Sequence, residues 1–177
     1  MITRGFERRV AVEYRAAGRR LTGYAAVFNS PAQIGDATEV IRPGAFRATL
    51  AGGQDILALM DHDATKVLAR TSAGNLRLAE DARGLAFEID LPSTTLASDA
   101  LAMVESRTAG GMSFGFFVPP GGAEWTAKDR RELRAVNLVE ISLVSAFPAY
   151  QATTVMARSA ADLLTEAIRR RRYLETV

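Results

Sequence analysis

The 177-residue chain contains no cysteine, a single histidine and a single tryptophan. Without thiols there is no disulfide framework, no cysteine nucleophile and no thiolate-bound metal, and one histidine leaves a zinc site short of nitrogen ligands. No metal and no cofactor is therefore expected. No run of 18 or more apolar residues occurs, so no membrane-spanning helix is expected. The opening Met1-Ile2-Thr3-Arg4-Gly5-Phe6-Glu7-Arg8-Arg9 is charged and is followed by no apolar stretch of signal-peptide length, which points to a cytoplasmic product. A large excess of one charge is missing too: 22 basic residues face 20 acidic ones, for a net charge of +2. Twenty of the basic residues are arginines, yet they are scattered along strands and turns, as on a solvated surface, so no specific nucleic-acid partner is expected.

What is present is an ordinary globular composition, 48% apolar and 24% charged, long enough to bury one substantial core. The single histidine lies in Leu59-Met60-Asp61-His62-Asp63. Downstream comes a serine framed by glycines, Gly111-Met112-Ser113-Phe114-Gly115. A serine hydroxyl is a poor nucleophile until a neighbouring base takes its proton, and histidine is the side chain suited to that role near neutral pH. With no cysteine, nucleophilic chemistry in this chain falls to Ser113 and His62.

The first half reads as short strands separated by turns. Val10, Val12 and Tyr14 alternate with polar or small residues, and Leu21 to Phe28 forms a second strand. A loop from Asn29 to Thr38 leads to a strand over Glu39 to Arg42, then a short helix that Pro43 opens and Gly52-Gly53 closes. Asp55 to Met60 delivers the chain to His62. Strands over Lys66 to Thr71, Asn75 to Ala79 and Leu85 to Leu91 follow with tight antiparallel connections. Thr95 caps a helix from Leu96 to about Arg107, and Met112 to Val118 carries the serine. Pro119 to Asp129 reads as a mobile loop, and Arg130 to Val136 and Asn137 to Phe147 as the last strands. From Ser159 an amphipathic helix ends in four arginines. The expected class is α+β: an antiparallel β-barrel or strongly curved sheet with two to three peripheral helices.

Gly111-x-Ser113-x-Gly115 matches the nucleophile elbow of α/β-hydrolases, but there histidine follows serine, and the serine turns from a strand into a helix. Here no histidine follows Ser113 and the chain continues as a strand, so that fold is excluded. A third group is needed to orient the imidazole. In Leu138-Val139-Glu140-Ile141-Ser142-Leu143-Val144, Glu140 is a carboxylate among aliphatic residues, costly to bury unless hydrogen-bonded. Asp63 is the rival third member, although neighbours on an extended chain face opposite ways. Each residue also has an ordinary explanation: His62 as an exposed loop residue, Ser113 as a small strand residue, Glu140 as an arginine's partner.

Six blocks in order carry a further signal: Gly23-Tyr24-Ala25-Ala26-Val27-Phe28, Glu39-Val40-Ile41-Arg42-Pro43-Gly44-Ala45-Phe46, Asp61-His62-Asp63, Glu80-Asp81-Ala82-Arg83-Gly84-Leu85, Gly111 to Phe116, and Glu140-Ile141-Ser142-Leu143-Val144 followed by Pro148-Ala149-Tyr150. From about Leu21 to Arg158 the chain resembles the tailed-phage prohead proteases, capsid-maturation serine peptidases with a fold similar to that of herpesvirus assemblins. The resemblance implies a serine endopeptidase that processes scaffold and major capsid protein segments during prohead maturation, in the host cytoplasm inside the assembling procapsid. It places the nucleophile on Ser113 and the base on His62. The third member, a histidine in the viral relatives, falls near Glu140. Oxyanion donors are implied in the turn Ala146 to Tyr150, where Pro148 has no amide hydrogen and Ala149 or Tyr150 would donate. Residues 1–158 are then the protease domain and 159–177 a basic tail, and helix-mediated pairing in assemblins implies a homodimer. The competing class is an inactive shell or scaffold component that keeps the fold.

Overall fold

A computed structural model describes residues 5–11 and 13–145, and thirteen strands and two helices are found among them. The chain is α+β, with the strands in three open sheets. The first sheet is built from β1 (Glu7–Ala11), β10 (Gly111–Phe117), β13 (Asn137–Val144), β6 (Leu57–Met60) and β7 (Asp63–Arg70), in that order. The second holds β11 (Ala123–Ala127), β12 (Arg130–Leu133), β5 (Ala37–Ile41) and β4 (Ala32–Ile34). The third holds β2 (Glu13–Ala17), β3 (Arg20–Val27), β9 (Gly84–Asp90) and β8 (Leu76–Glu80).

Alternation decides which way the serine-bearing strand faces. Met112, Phe114 and Phe116 of β10 enter the common core with Leu138, Ile141 and Leu143 of β13, while Ser113 points to the opposite face. The same core takes Leu21, Ala25, Leu85, Phe87 and Ile89 from the third sheet and Phe46 from the segment after β5. Phe46 meets Phe114 edge to face with ring centroids 5.5 Å apart, a favourable aromatic geometry.

Several expectations change. Among the described residues no sheet closes on itself into a barrel, and two pairings, β6 with β13 and β5 with β12, are parallel rather than antiparallel. Parallel pairs join segments distant in sequence, which local turn signals do not report. The expected strand through Val10, Val12 and Tyr14 is two strands: β1 pairs with β10 and β2 with β3. Thr94, not Thr95, caps the second helix, α2 (Thr95–Glu105), its Oγ1 accepting from the Ala97 amide at 3.2 Å. The expected mobile loop after Pro119 contains β11, which forms a hairpin with β12. Alternation over five residues is too short to register against the prolines and glycines before it. The helix expected from Ser159 lies outside the described residues.

Two of the six sequence blocks hold each other. The Glu80 carboxylate accepts from the Gly44 amide at 2.6 Å and the Phe46 amide at 3.0 Å, pinning the Arg42-Pro43-Gly44-Ala45-Phe46 turn. The first helix, α1 (Arg47–Ala51), therefore starts later than Pro43. Asp81 accepts from the Arg83 amide at 2.7 Å, the Gly84 amide at 3.0 Å and the Tyr24 hydroxyl at 2.7 Å, closing the β8–β9 turn. Gly84 is required there because a Cβ would overlap the Ala26 carbonyl.

Candidate active site

His62 occupies the two-residue turn that joins β6 to β7. Asp61 and His62 have φ of 52° and 60°, the left-handed pair that a type I′ hairpin demands and that asparagine and glycine usually supply. Side chains in this region cost about 1–2 kcal/mol per residue. Tethers to the end of β13 offset that cost. The Asp61 amide donates to the Leu143 carbonyl at 2.9 Å, and its carboxylate accepts from the Ser145 amide at 2.7 Å and the Ser145 hydroxyl at 2.8 Å. Asp61→Ala removes the tether to Ser145 and keeps the strained backbone, so a loss of about 2 kcal/mol is expected in urea unfolding. Asp61→Gly removes the same tether but relieves the strain, and is expected to lose about 1 kcal/mol less.

The tethered turn brings His62 to Glu140. Its Nδ1 lies 2.7 Å from Glu140 Oε1, and the two side chains are 14% and 4% exposed. A carboxylate partner makes Nδ1 the proton-bearing nitrogen and leaves Nε2 as the acceptor. The other carboxylate oxygen, Oε2, accepts from the Ser142 hydroxyl at 2.5 Å. Arg8 Nε lies 4.0 Å from Oε1, with its guanidinium 5.2 Å from the centre of the Phe6 ring. Both oxygens of a carboxylate buried among apolar residues thus have partners, as burial requires.

Ser113 lies on the same sheet face as Glu140. The β10–β13 register pairs Ser113 with Ser142 and Gly115 with Glu140, and residues directly opposite each other share a face. Ser113 has no exposed surface, and its Oγ makes no hydrogen bond. His62 and Glu140 are in contact, whereas the hydroxyl of Ser113 is not bonded to the imidazole. Catalytic hydrogen bonds are often open before substrate arrives. Of these two buried serines, paired across β10 and β13, only Ser142 has a hydrogen-bonded hydroxyl.

Gly115 acquires a role that its elbow-like setting concealed. A Cβ there would overlap Glu140 Oε1 and the ring of Phe6, so the glycine is the gap over which the carboxylate reaches His62. Asp63, the rival to Glu140, is engaged elsewhere. It opens β7, accepts from the Thr65 amide at 2.9 Å and hydroxyl at 2.6 Å, and pairs with Lys66 at 3.2 Å. The Thr65 hydrogen bonds, with Lys66 beside them, hold its carboxyl below the usual value. Ala149 and Tyr150 lie outside the described residues. Ser142 and Gly115 were missed in the sequence, although Ser142 stands two residues after Glu140 and so, by strand alternation, on its face.

Among the described residues, no group of three or more His, Cys, Asp or Glu could hold a metal ion, and no helix is long and apolar enough to cross a membrane. A groove of about 980 Å³, lined among others by Tyr14, Arg15, Tyr24, Arg77 and Phe87, opens on the third sheet. It contains none of Ser113, His62 or Glu140. Compared with known proteins, residues 8–166 match the family model described as caudovirus prohead serine protease. That span begins before Leu21 and ends after Arg158, wider at both ends than the six blocks suggest. Neither a curated protein nor a solved structure matches the chain.

Proposed function

Because this chain belongs to the caudovirus prohead serine protease family, we propose that it is a serine endopeptidase cutting scaffold and major capsid protein segments in the assembling procapsid, within the host cytoplasm. The observation that carries this reading is the buried His62–Glu140 pair at 2.7 Å on the sheet face that also bears the unpartnered hydroxyl of Ser113.

In this mechanism Ser113 Oγ attacks the scissile carbonyl carbon while His62 Nε2 removes its proton. The Glu140 carboxylate accepts from Nδ1–H and stabilises the imidazolium that forms. Collapse of the tetrahedral intermediate breaks the C–N bond, and the imidazolium passes its proton to the leaving amine. Water, deprotonated by the same nitrogen, then attacks the acyl-enzyme, releases the carboxylic acid product and restores Ser113. The developing oxyanion needs preorganised donors, each worth about 3–4 kcal/mol. The amides of Ala149 or Tyr150, in the segment following β13, are proposed for that role. Since Ser113 has no exposed surface, the chain covering it must part for a substrate carbonyl to enter.

The test is co-expression with the major capsid protein precursor, with shortening of the precursor followed on a gel. The intact chain is expected to shorten it and Ser113→Ala to leave it full length. A precursor left intact by both would favour an inactive shell or scaffold component. Equal shortening by both would remove Ser113 from the role of nucleophile.

A further inference from the structure

Three facts converge on one carboxylate. Glu140 Oε2 accepts the hydroxyl proton of Ser142 at 2.5 Å, Ser142 has no exposed surface, and the other oxygen of the same carboxylate is the partner of His62. A glutamate side chain has three rotatable bonds, so its terminal carboxylate does not choose a direction by itself. Here one oxygen is fixed from within the same strand, two residues on, and the gap left by Gly115 fixes the path of the side chain across β10.

We infer that Ser142 is a positioning residue of the site: by donating to Glu140 Oε2 it turns Oε1 toward His62 Nδ1, and so sets the imidazole that serves Ser113. This rests on the proposed roles of His62 and Glu140. The Ser142 hydroxyl donates to Glu140 and not to Ser113, so its effect on the site runs through Glu140. With its hydroxyl removed, Oε2 is a buried acceptor without its partner, and the carboxylate is free to rotate away from the ring. A site that holds its reacting groups to within about 0.5 Å loses rate when a supporting hydrogen bond is deleted.

The single histidine provides a direct readout, since the imidazole N–H signals of selectively ¹⁵N-labelled protein all come from His62. The intact chain is expected to show one downfield Nδ1–H resonance. Ser142→Ala is expected to shift it upfield or broaden it and to lower kcat roughly 10- to 100-fold, the scale seen when the partner of a functional carboxylate or histidine is deleted at metal sites. KM stays within about twofold, because no substrate contact is lost. Ser142→Thr, which keeps the hydroxyl, is expected to restore both the resonance and most of kcat. Gly115→Ala is expected to disturb the same resonance by pushing the carboxylate aside.

An unmoved resonance with unchanged kcat in Ser142→Ala overturns the inference. So does a fall in kcat with the resonance in place, since Ser142 would then act by another route. If Glu140→Gln leaves the resonance of the intact chain untouched, the His62–Glu140 pairing itself is refuted and the inference goes with it. That outcome is distinct from the first two, in which the pairing survives and only Ser142 loses its role.

Discussion

Ser113→Ala is expected to lower kcat for cleavage of a peptide spanning the processing site by about 10⁶-fold, His62→Ala by a similar factor, and the double variant by no more than either alone. The reason is that the groups act as a unit. Without the base the hydroxyl stays protonated, and without the hydroxyl the base has nothing to activate. Glu140→Gln is expected to cost about 10⁴-fold, since an amide that donates toward Nδ1 selects the wrong imidazole tautomer. Single-turnover kinetics on variants with unchanged circular dichroism would measure these factors. Additive losses in the double variant would mean that Ser113 and His62 do not share one reaction path. Retention of more than a few per cent of the activity by Ser113→Ala would exclude it as nucleophile.

The largest expected effect on stability lies away from the site, in an ion network that ties β1 to the second sheet. Arg9 and Glu39, only 3% and 2% exposed, are joined through two nitrogens of Arg9, at 2.5 Å and 2.9 Å. Arg131 donates to Glu39 at 3.0 Å and grips both oxygens of Glu7 at 2.8 Å, and Arg9 also reaches Glu7 at 2.6 Å. Glu39→Ala leaves the Arg9 guanidinium buried without its main counter-charge, and a loss of about 3–5 kcal/mol is expected in urea unfolding. That is a large part of the ~5–15 kcal/mol that holds a typical domain together. Replacing both partners with apolar residues, Arg9→Met with Glu39→Met, is expected to recover most of the loss, because no charge is then stranded. If the single variant costs less than about 1 kcal/mol, the network is solvated rather than buried.

The same network gives stability a dependence on pH. Burial pushes the Glu7 carboxyl up, but the hydrogen bond from Arg131 and the charges of Arg9 and Arg131 outweigh it and hold the group below its ordinary value of 4.5. A folded-state value below the unfolded one means that the contribution is fully present above about pH 4.5 and is lost as pH falls through the folded value. Glu7→Gln is expected to flatten the acid limb of the stability curve, measured by urea unfolding between about pH 6 and pH 3.

Residue types are legible in the sequence where chemistry is scarce; pairings between distant segments are not. One histidine and no cysteine make His62 and Ser113 conspicuous, and a carboxylate among aliphatic residues marks Glu140 as needing a partner. Nothing local indicates that the partner is 78 positions away, or that β6 lies parallel beside β13 to bring it there. Gly115 is misleading by itself, since the glycine pattern around Ser113 imitates a turn that the chain does not make. Its purpose depends on which residue stands opposite in β13, and register is a property of two strands together.

The sequence by itself determined the inventory: which side chains can do chemistry, the mixed α and β character, the period-2 alternation that puts Phe114 and Ser113 on opposite faces of their strand, and membership of the family through ordered blocks. These follow from residue type and from spacing along one strand. Only the tertiary structure decided that the sheets stay open, that Glu140 rather than Asp63 meets His62, and that Asp61, Ser142 and Gly115 hold them in contact. Those outcomes depend on pairings between distant segments, where the alignment of one strand against the next decides which oxygen faces which nitrogen.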